Sequence, residues 1–159
     1  QLMGESIGKE EDINGKVVHI GITPIVSIGS TDMHSVGQLY LGGPNDKVTT
    51  FISSVFSKNS QRIHSGLLPN LVEEIDGRKT SDIMNAILSA VKLSYKKHEI
   101  PFMEVLLDDI SEKSIGEFMQ FKMIEMMYLG KLFNVNPFNQ PNVEEYKLET
   151  KRILKNSID

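Results

Sequence analysis

Short β-branched runs alternate with longer helix-like segments along this chain, and that alternation is its strongest constraint on fold. Lys16 to Ile22 (KVVHIGI) is a short run of strand formers stopped by Pro24, and Ile25 to Ile28 is a second short apolar piece. Lys47 to Phe56 (KVTTFISSVF) is rich in β-branched and aromatic residues, and Ile100 to Leu107 (IPFMEVLL) is a further strand candidate with Pro101 tolerable at its start. Ser30-Thr31-Asp32 can cap a helix running to about Leu41, where Gly42-Gly43-Pro44 ends it. Thr80-Ser81-Asp82 can cap another, on which Ile83, Met84, Ile87, Leu88, Val91 and Tyr95 recur at helical spacing. Ser114-x-x-Glu117 has the form of a capping box opening a helix to about Phe133, and Asn142-x-x-Glu145 opens a last helix from Val143 to about Lys155. Strands alternating with helices predict an α/β domain with a largely parallel sheet.

The helix after Ser114 carries Phe118, Met119, Phe121, Met123, Ile124, Met126, Met127 and Leu129 and is apolar on nearly every side. Such a helix is expected to be buried in its own domain or against another chain. A length of 159 residues suits one domain spanning 1–159. No apolar run approaches the roughly 18 residues of a membrane helix, so no membrane partner is expected. A formal net charge of −4 argues against nucleic acid as a partner, because affinity there comes from Lys and Arg on phosphates. The absence of cysteine removes disulfides and thiolate chemistry, and a reducing cytoplasm is the natural compartment. Gln1-Leu2-Met3-Gly4-Glu5 has no initiator Met, basic segment or apolar segment, and is expected to lie within a longer polypeptide.

Gly4-Glu5-Ser6-Ile7-Gly8-Lys9 looks at first like a phosphate loop. It is one residue too short for G-x-x-x-x-G-K-[ST], Glu10 stands where Ser or Thr is required, and no strand precedes it, so a nucleotide site is rejected. Glu5 between two glycines reads either as a solvated loop carboxylate or as a base on a tight turn. The four histidines, His19, His34, His64 and His98, show no i,i+4 pair and no carboxylate at ligand spacing, and no metal site is expected. His34 has Gln38 at i+4 on its expected helix, where the amide could hold an imidazole nitrogen. Lys147 falls at the margin of a stripe formed by Val143, Thr150 and Leu154, either covering apolar surface or presenting an ammonium to a cleft.

Three stretches together resemble the glucose-6-phosphate isomerase family. Phe138-Asn139-Gln140-Pro141-Asn142-Val143-Glu144-Glu145-Tyr146-Lys147, preceded by Gly130-Lys131-Leu132-Phe133, is similar to that family's C-terminal signature. Gly4-Glu5-Ser6-Ile7-Gly8-Lys9 is similar to its M-E-S-N-G-K segment, and Thr31 to Leu39 (TDMHSVGQL) to its G-x-x-Q-H-x-x-x-Q-L segment. Asn142 stands where the family has Gly or Ala, a change an N-cap position would accommodate.

The resemblance implies a sugar-isomerase-type domain, a three-layer α-β-α sandwich with a mainly parallel sheet and C-terminal helices. It implies aldose–ketose isomerisation of glucose 6-phosphate and fructose 6-phosphate through a cis-enediol, in glycolysis and gluconeogenesis, with no metal or organic cofactor. Glu5 corresponds to the base that moves a proton between C2 and C1, His34 to the group that helps open the ring, Lys147 to the lysine at the ring oxygen and Gln140 to a substrate contact. A carboxylate, an imidazole and an ammonium suit those three tasks. The family's phosphate-binding loop and enediolate-stabilising arginine match nothing here, since Arg62, Arg78 and Arg152 lie in no such motif, so the chain alone is expected to be inactive. A homodimer with His34 donated across its interface is also implied. A dual glucose/mannose-6-phosphate isomerase and a non-catalytic sugar-phosphate-binding module are the alternative readings.

Overall fold

The computed structural model describes residues 1–55, 60–66 and 72–156; Phe56, the last residue of the third expected strand-like run, lies outside them. The elements run α1 (Leu2–Ile7), β1 (Lys9–Glu11), β2 (Val17–Ile20), α2 (Gly29–Ser35), α3 (Gly37–Gly42), β3 (Thr49–Ser54), a short 3-10 turn (Glu73–Ile75), α4 (Thr80–Lys97), β4 (Phe102–Leu107), α5 (Glu112–Leu132) and α6 (Pro141–Asn156). Two compact units result: one joins Gln1–Ile25 to the residues from Glu117 onward, and the other is Val26–Gly116.

The Val26–Gly116 unit has the parallel pairing that the alternation predicts. β3 and β4 run in register from Thr49↔Phe102 to Ser54↔Leu107, and parallel strands need a long crossover such as the one containing α4. Tyr95, only 1% exposed near the end of α4, is what holds that helix on the pair. Its ring meets Phe51 edge-on at 5.2 Å and Phe102 at 6.0 Å, while its hydroxyl and that of Thr49 lie 3.0 Å apart. At the rim Lys92 on α4 pairs with Glu104 on β4 at 2.6 Å. The chain is therefore mixed α/β with a parallel sheet.

Three expectations shift here. Ile25 to Ile28 forms no strand, and Val26 is 90% exposed. The helix expected from Ser30 to Leu41 is two helices, because Val36 leaves helical geometry (φ −124°, ψ 1°) just before Gly37, a residue that costs a helix interior about 1 kcal/mol relative to Ala. α5 starts two residues before the expected Ser114. Ser111 precedes the helix and its Oγ accepts the Ser114 N–H at 3.4 Å, while Asp109 Oδ1 takes the Ser111 N–H and both hydroxyls at 2.6–2.9 Å. Ser114 thus sits in the third helical position.

The other unit contains two elements that the residue pattern did not announce. Lys9-Glu10-Glu11 has no strand-forming side chain, yet β1 pairs antiparallel with β2, Lys9 opposite Ile20 and Glu11 opposite Val17. The hairpin turn explains it: Asn14-Gly15 supplies a left-handed glycine (φ 77°), and Asp12 Oδ1 accepts the N–H groups of Asn14 and Lys16 at 2.8 and 3.0 Å. Those N–H groups, Lys16 first, hold the Asp12 carboxyl below the usual carboxylate range. Glu5, expected in a loop or on a tight glycine turn, lies on the short helix α1. Gly8 ends it with φ −74°, so its lack of a side chain matters for space: a Cβ would sit 2.8 Å from the Gly4 carbonyl oxygen.

α5 ends in a Schellman turn. Asn134 takes a left-handed φ of 58°, its N–H bonding Lys131 O at 3.2 Å and the Val135 N–H bonding Gly130 O at 2.9 Å. The turn folds Pro137 back against Gly130, where a Cβ would stand 2.9–3.0 Å from three ring carbons. Gly130→Ala is therefore expected to destabilise by up to about 2 kcal/mol net, since overpacking of about 1–3 kcal/mol is set against roughly 1 kcal/mol gained in helix propensity. Gly116→Ala, also on α5 but with open space around its Cβ, should stabilise. Thermal unfolding of both variants checks this, and two shifts of the same sign would refute it.

Burial on these helices is partial. Ile7, Met126 and Val135 are 4% exposed or less, but Phe121, Tyr128 and Leu132 on α5 remain 55%, 69% and 78% exposed. The all-round burial expected of α5 is not reached within this chain. The stripe expected on α6 is exposed as well, with Leu154 at 61% and Val143 only half-buried.

Candidate active site

Glu5 is the point at which sequence-distant pieces of the first unit meet. Its Oε1 accepts the Gln1 side-chain amide at 3.0 Å, one helical turn away, and its Oε2 accepts the Gln140 amide at 3.1 Å from 135 positions away. An ionised carboxylate is acceptor-only, so amide N–H donors on both oxygens fit it. The carboxylate is exposed, open to a further partner.

A strap of chain after the Schellman turn brings Gln140 there. Asn134 accepts the Ile13 N–H on its carbonyl at 2.9 Å and donates its amide to Asp12 Oδ2 at 3.1 Å. Val135 is buried behind it, and Asn136 Oδ1 accepts the Phe138 N–H at 2.9 Å, turning the chain once more. Lys9 Nζ then donates to the Asn139 carbonyl at 2.6 Å and to the Glu5 carbonyl at 2.9 Å. Burial pushes the Lys9 ammonium below the usual lysine range. α6 begins directly after Gln140 with Pro141 in the first helical position, where a missing N–H costs nothing. Asn142 is consequently inside the helix and not its cap, and its amide donates to Glu10 Oε2 at 3.0 Å.

Of the sequence-derived site residues, Glu5 and Gln140 are in contact. Lys147 lies on α6, about 10 Å further along the helix axis at 1.5 Å per residue, exposed and paired with Glu144 Oε1 at 3.2 Å. Surface pairs of this kind are worth at most about 1 kcal/mol, so the ammonium can change partners readily. His34 lies on α2 in the Val26–Gly116 unit and is exposed. The break at Val36 puts His34 and Gln38 on different helices, and they share no hydrogen bond among the described residues.

Lys9 and Gln1 escaped the sequence reading. Gln1 had a signal, its i,i+4 spacing to Glu5, hidden because α1 was not recognised. Lys9 had none, since its partners are backbone carbonyls. An open groove of about 730 Å³ beside the strap is lined by Glu10, Glu11, Asp12 and Glu145 along with Lys9 and Asn139. Four carboxylates repel a phosphate, so this groove does not suit one.

No protein-family model matches the chain. It is 32% identical over 155 residues to the glucose-6-phosphate isomerase of Methanocaldococcus jannaschii, covering 98% of this chain and 36% of that protein. It is 32% identical over 156 residues to the glucose-6-phosphate isomerase of Carboxydothermus hydrogenoformans, covering 97% of this chain and 33% of that protein. The chain thus spans about a third of the length of these relatives. In three dimensions it superimposes on hypothetical protein TT0462 of Thermus thermophilus with a TM-score of 0.86 and 27% identity, over 96% of this chain and 36% of that one.

Proposed function

We propose that this chain, a stretch of glucose-6-phosphate isomerase sequence about a third as long as the enzyme, carries the proton-transfer machinery that interconverts glucose 6-phosphate and fructose 6-phosphate. The observation that carries the reading is the 3.1 Å contact between Gln140 and Glu5, which joins two motifs 135 positions apart. In this reading the Glu5 carboxylate removes the C2 proton of the open-chain aldose. The electron pair of the C2–H bond becomes the C1–C2 double bond of a cis-enediol, and the C1 oxygen takes a proton. Return of a proton to C1, with loss of the O2 proton, gives the ketose. One carboxylate suffices because the two carbons are adjacent, and amides on both of its oxygens limit its wandering.

His34 helps open the pyranose ring and is contributed by the second copy of a homodimer. Lys147 gives up its weak pair with Glu144 to offer its ammonium to the ring oxygen. Gln140 contacts substrate from beside the base. The phosphate cradle and the arginine that stabilises the enediolate come from the remaining polypeptide, in keeping with the acidic rim of the groove here. The setting is the cytoplasm, in glycolysis and gluconeogenesis.

The test compares the purified 159-residue chain with the whole polypeptide that carries it. The chain alone should form no detectable fructose 6-phosphate, because loss of electrostatic groups of this kind costs about 10² or more in rate each. The whole polypeptide should turn over and exchange the C2 hydrogen with solvent. Robust turnover by the chain alone would put a phosphate site within it, and a whole polypeptide without isomerase activity would overturn the reading.

A further inference from the structure

Lys9 is an unusual lysine for a short edge strand. It is 6% exposed, and its ammonium, three donors with no acceptor, meets two backbone carbonyls. Among the described residues no carboxylate lies within ion-pair distance of it. A buried charge satisfied only by dipoles is costly to keep. What those two carbonyls belong to gives the cost a purpose. One is that of Glu5, which the Lys9 ammonium occupies at the C-terminal end of α1, where helix carbonyls lack intrahelical donors and attract cations. The other is that of Asn139, whose successor Gln140 holds the far oxygen of Glu5.

The contacts therefore close a ring: Glu5 carbonyl, Lys9 ammonium, Asn139 carbonyl, Gln140 amide and back to the Glu5 carboxylate. α1 has six residues, too few to be rigid unaided. We propose that Lys9 is a positioning residue for the isomerase base: its ammonium fixes the Glu5 backbone and the Gln140 strap to each other, and so sets where the carboxylate stands against C1 and C2. The proposal rests on Glu5 being that base. Lys9 touches no reacting atom and acts only through Glu5.

The consequence is legible in where the transferred hydrogen goes. A base held in one place returns the proton it took, whereas a looser one lets it exchange with water first. In the whole polypeptide, with hexose phosphate labelled at C2, Lys9→Met should lower kcat by about ten- to a hundredfold, the scale of misplacing a catalytic group by about 1 Å. KM should stay within about twofold, because Lys9 meets no substrate, and the fraction of label recovered at C1 should fall. Simple loss of stability would reduce the amount of active enzyme but leave the label fraction of the survivors unchanged.

Lys9→Arg keeps the charge with a longer reach and should show an intermediate kcat and label fraction, and it decides the matter if Lys9→Met does not fold. Wild-type label retention and kcat in a folded variant would overturn the proposal. Glu5→Gln, run alongside, separates the two layers. If it still moves the C2 hydrogen, the assignment of the base has failed, and if it does not while the Lys9 variants behave as wild type, only the positioning role has failed.

Discussion

Glu5→Gln in the whole polypeptide is expected to slow isomerisation by about 10²–10⁴-fold, the range that a positioned acid–base group contributes. The side chain keeps its length and planar head but loses the lone pair that takes the C2 proton. Substrate affinity should change little, since the proposed sugar and phosphate contacts lie on other residues. A local effect on α1 should accompany it. Gln1 and Gln140 each present an amide N–H to Glu5, and a glutamine at this position offers an oxygen to one of them and an NH₂ to the other, whose amide must flip to accept it. That rearrangement costs about 1 kcal/mol or less for an exposed group. The decisive measurement is exchange of the C2 hydrogen with solvent. Exchange at close to the wild-type rate would remove Glu5 from the role of base.

His34→Ala should produce a different pattern. Loss of about 10²-fold is expected with cyclic glucose 6-phosphate, and little loss with substrate supplied in the open-chain form, because the proposed work of the imidazole ends when the ring has opened. The exposed position of His34 on α2, away from any hydrogen bond with Gln38, leaves the ring available to a partner surface. Folding should be unaffected, since the side chain is not packed. Parallel assays with cyclic and acyclic substrate check this, and equal slowing of both would end the division of labour between carboxylate and imidazole.

The parts of the fold legible in the sequence are those in which side-chain pattern and backbone agree. β3, β4 and α4 were marked by β-branched runs and by the recurrence of Ile83, Ile87, Val91 and Tyr95 at helical spacing, and each lies within a few residues of its expectation. What was not legible depends on backbone partners far away. Lys9-Glu10-Glu11 became a strand because a turn built on Asp12 and Gly15 brought β2 beside it. The helix around His34 breaks at Val36, beside Gly37, because the cap and stop signals that mark its ends say nothing of a glycine in its interior. Asn142 read as a cap because the proline before it was not credited with opening the helix. At the site, Glu5, His34 and Lys147 stand out in the pattern, but their roles, and Gln140 itself, come only from the resemblance. The contact of Glu5 with Gln140 is a fact of geometry that neither motif contains.

That contact has a kinetic side. The unit that holds Glu5 is made from the two ends of the described chain, with the Val26–Gly116 unit inserted between them. Closing a flexible loop as long as the 135 positions between Glu5 and Gln140 costs about 2 kcal/mol more in chain entropy than closing a ten-residue turn. Contacts of such sequence separation form late, after local ones have shortened the effective loop. During synthesis Glu5 is made long before the ribosome has delivered Asn134 through Gln140, and until then its six-residue helix has no strap to steady it. A polypeptide released before that strap emerges therefore lacks the support of its carboxylate.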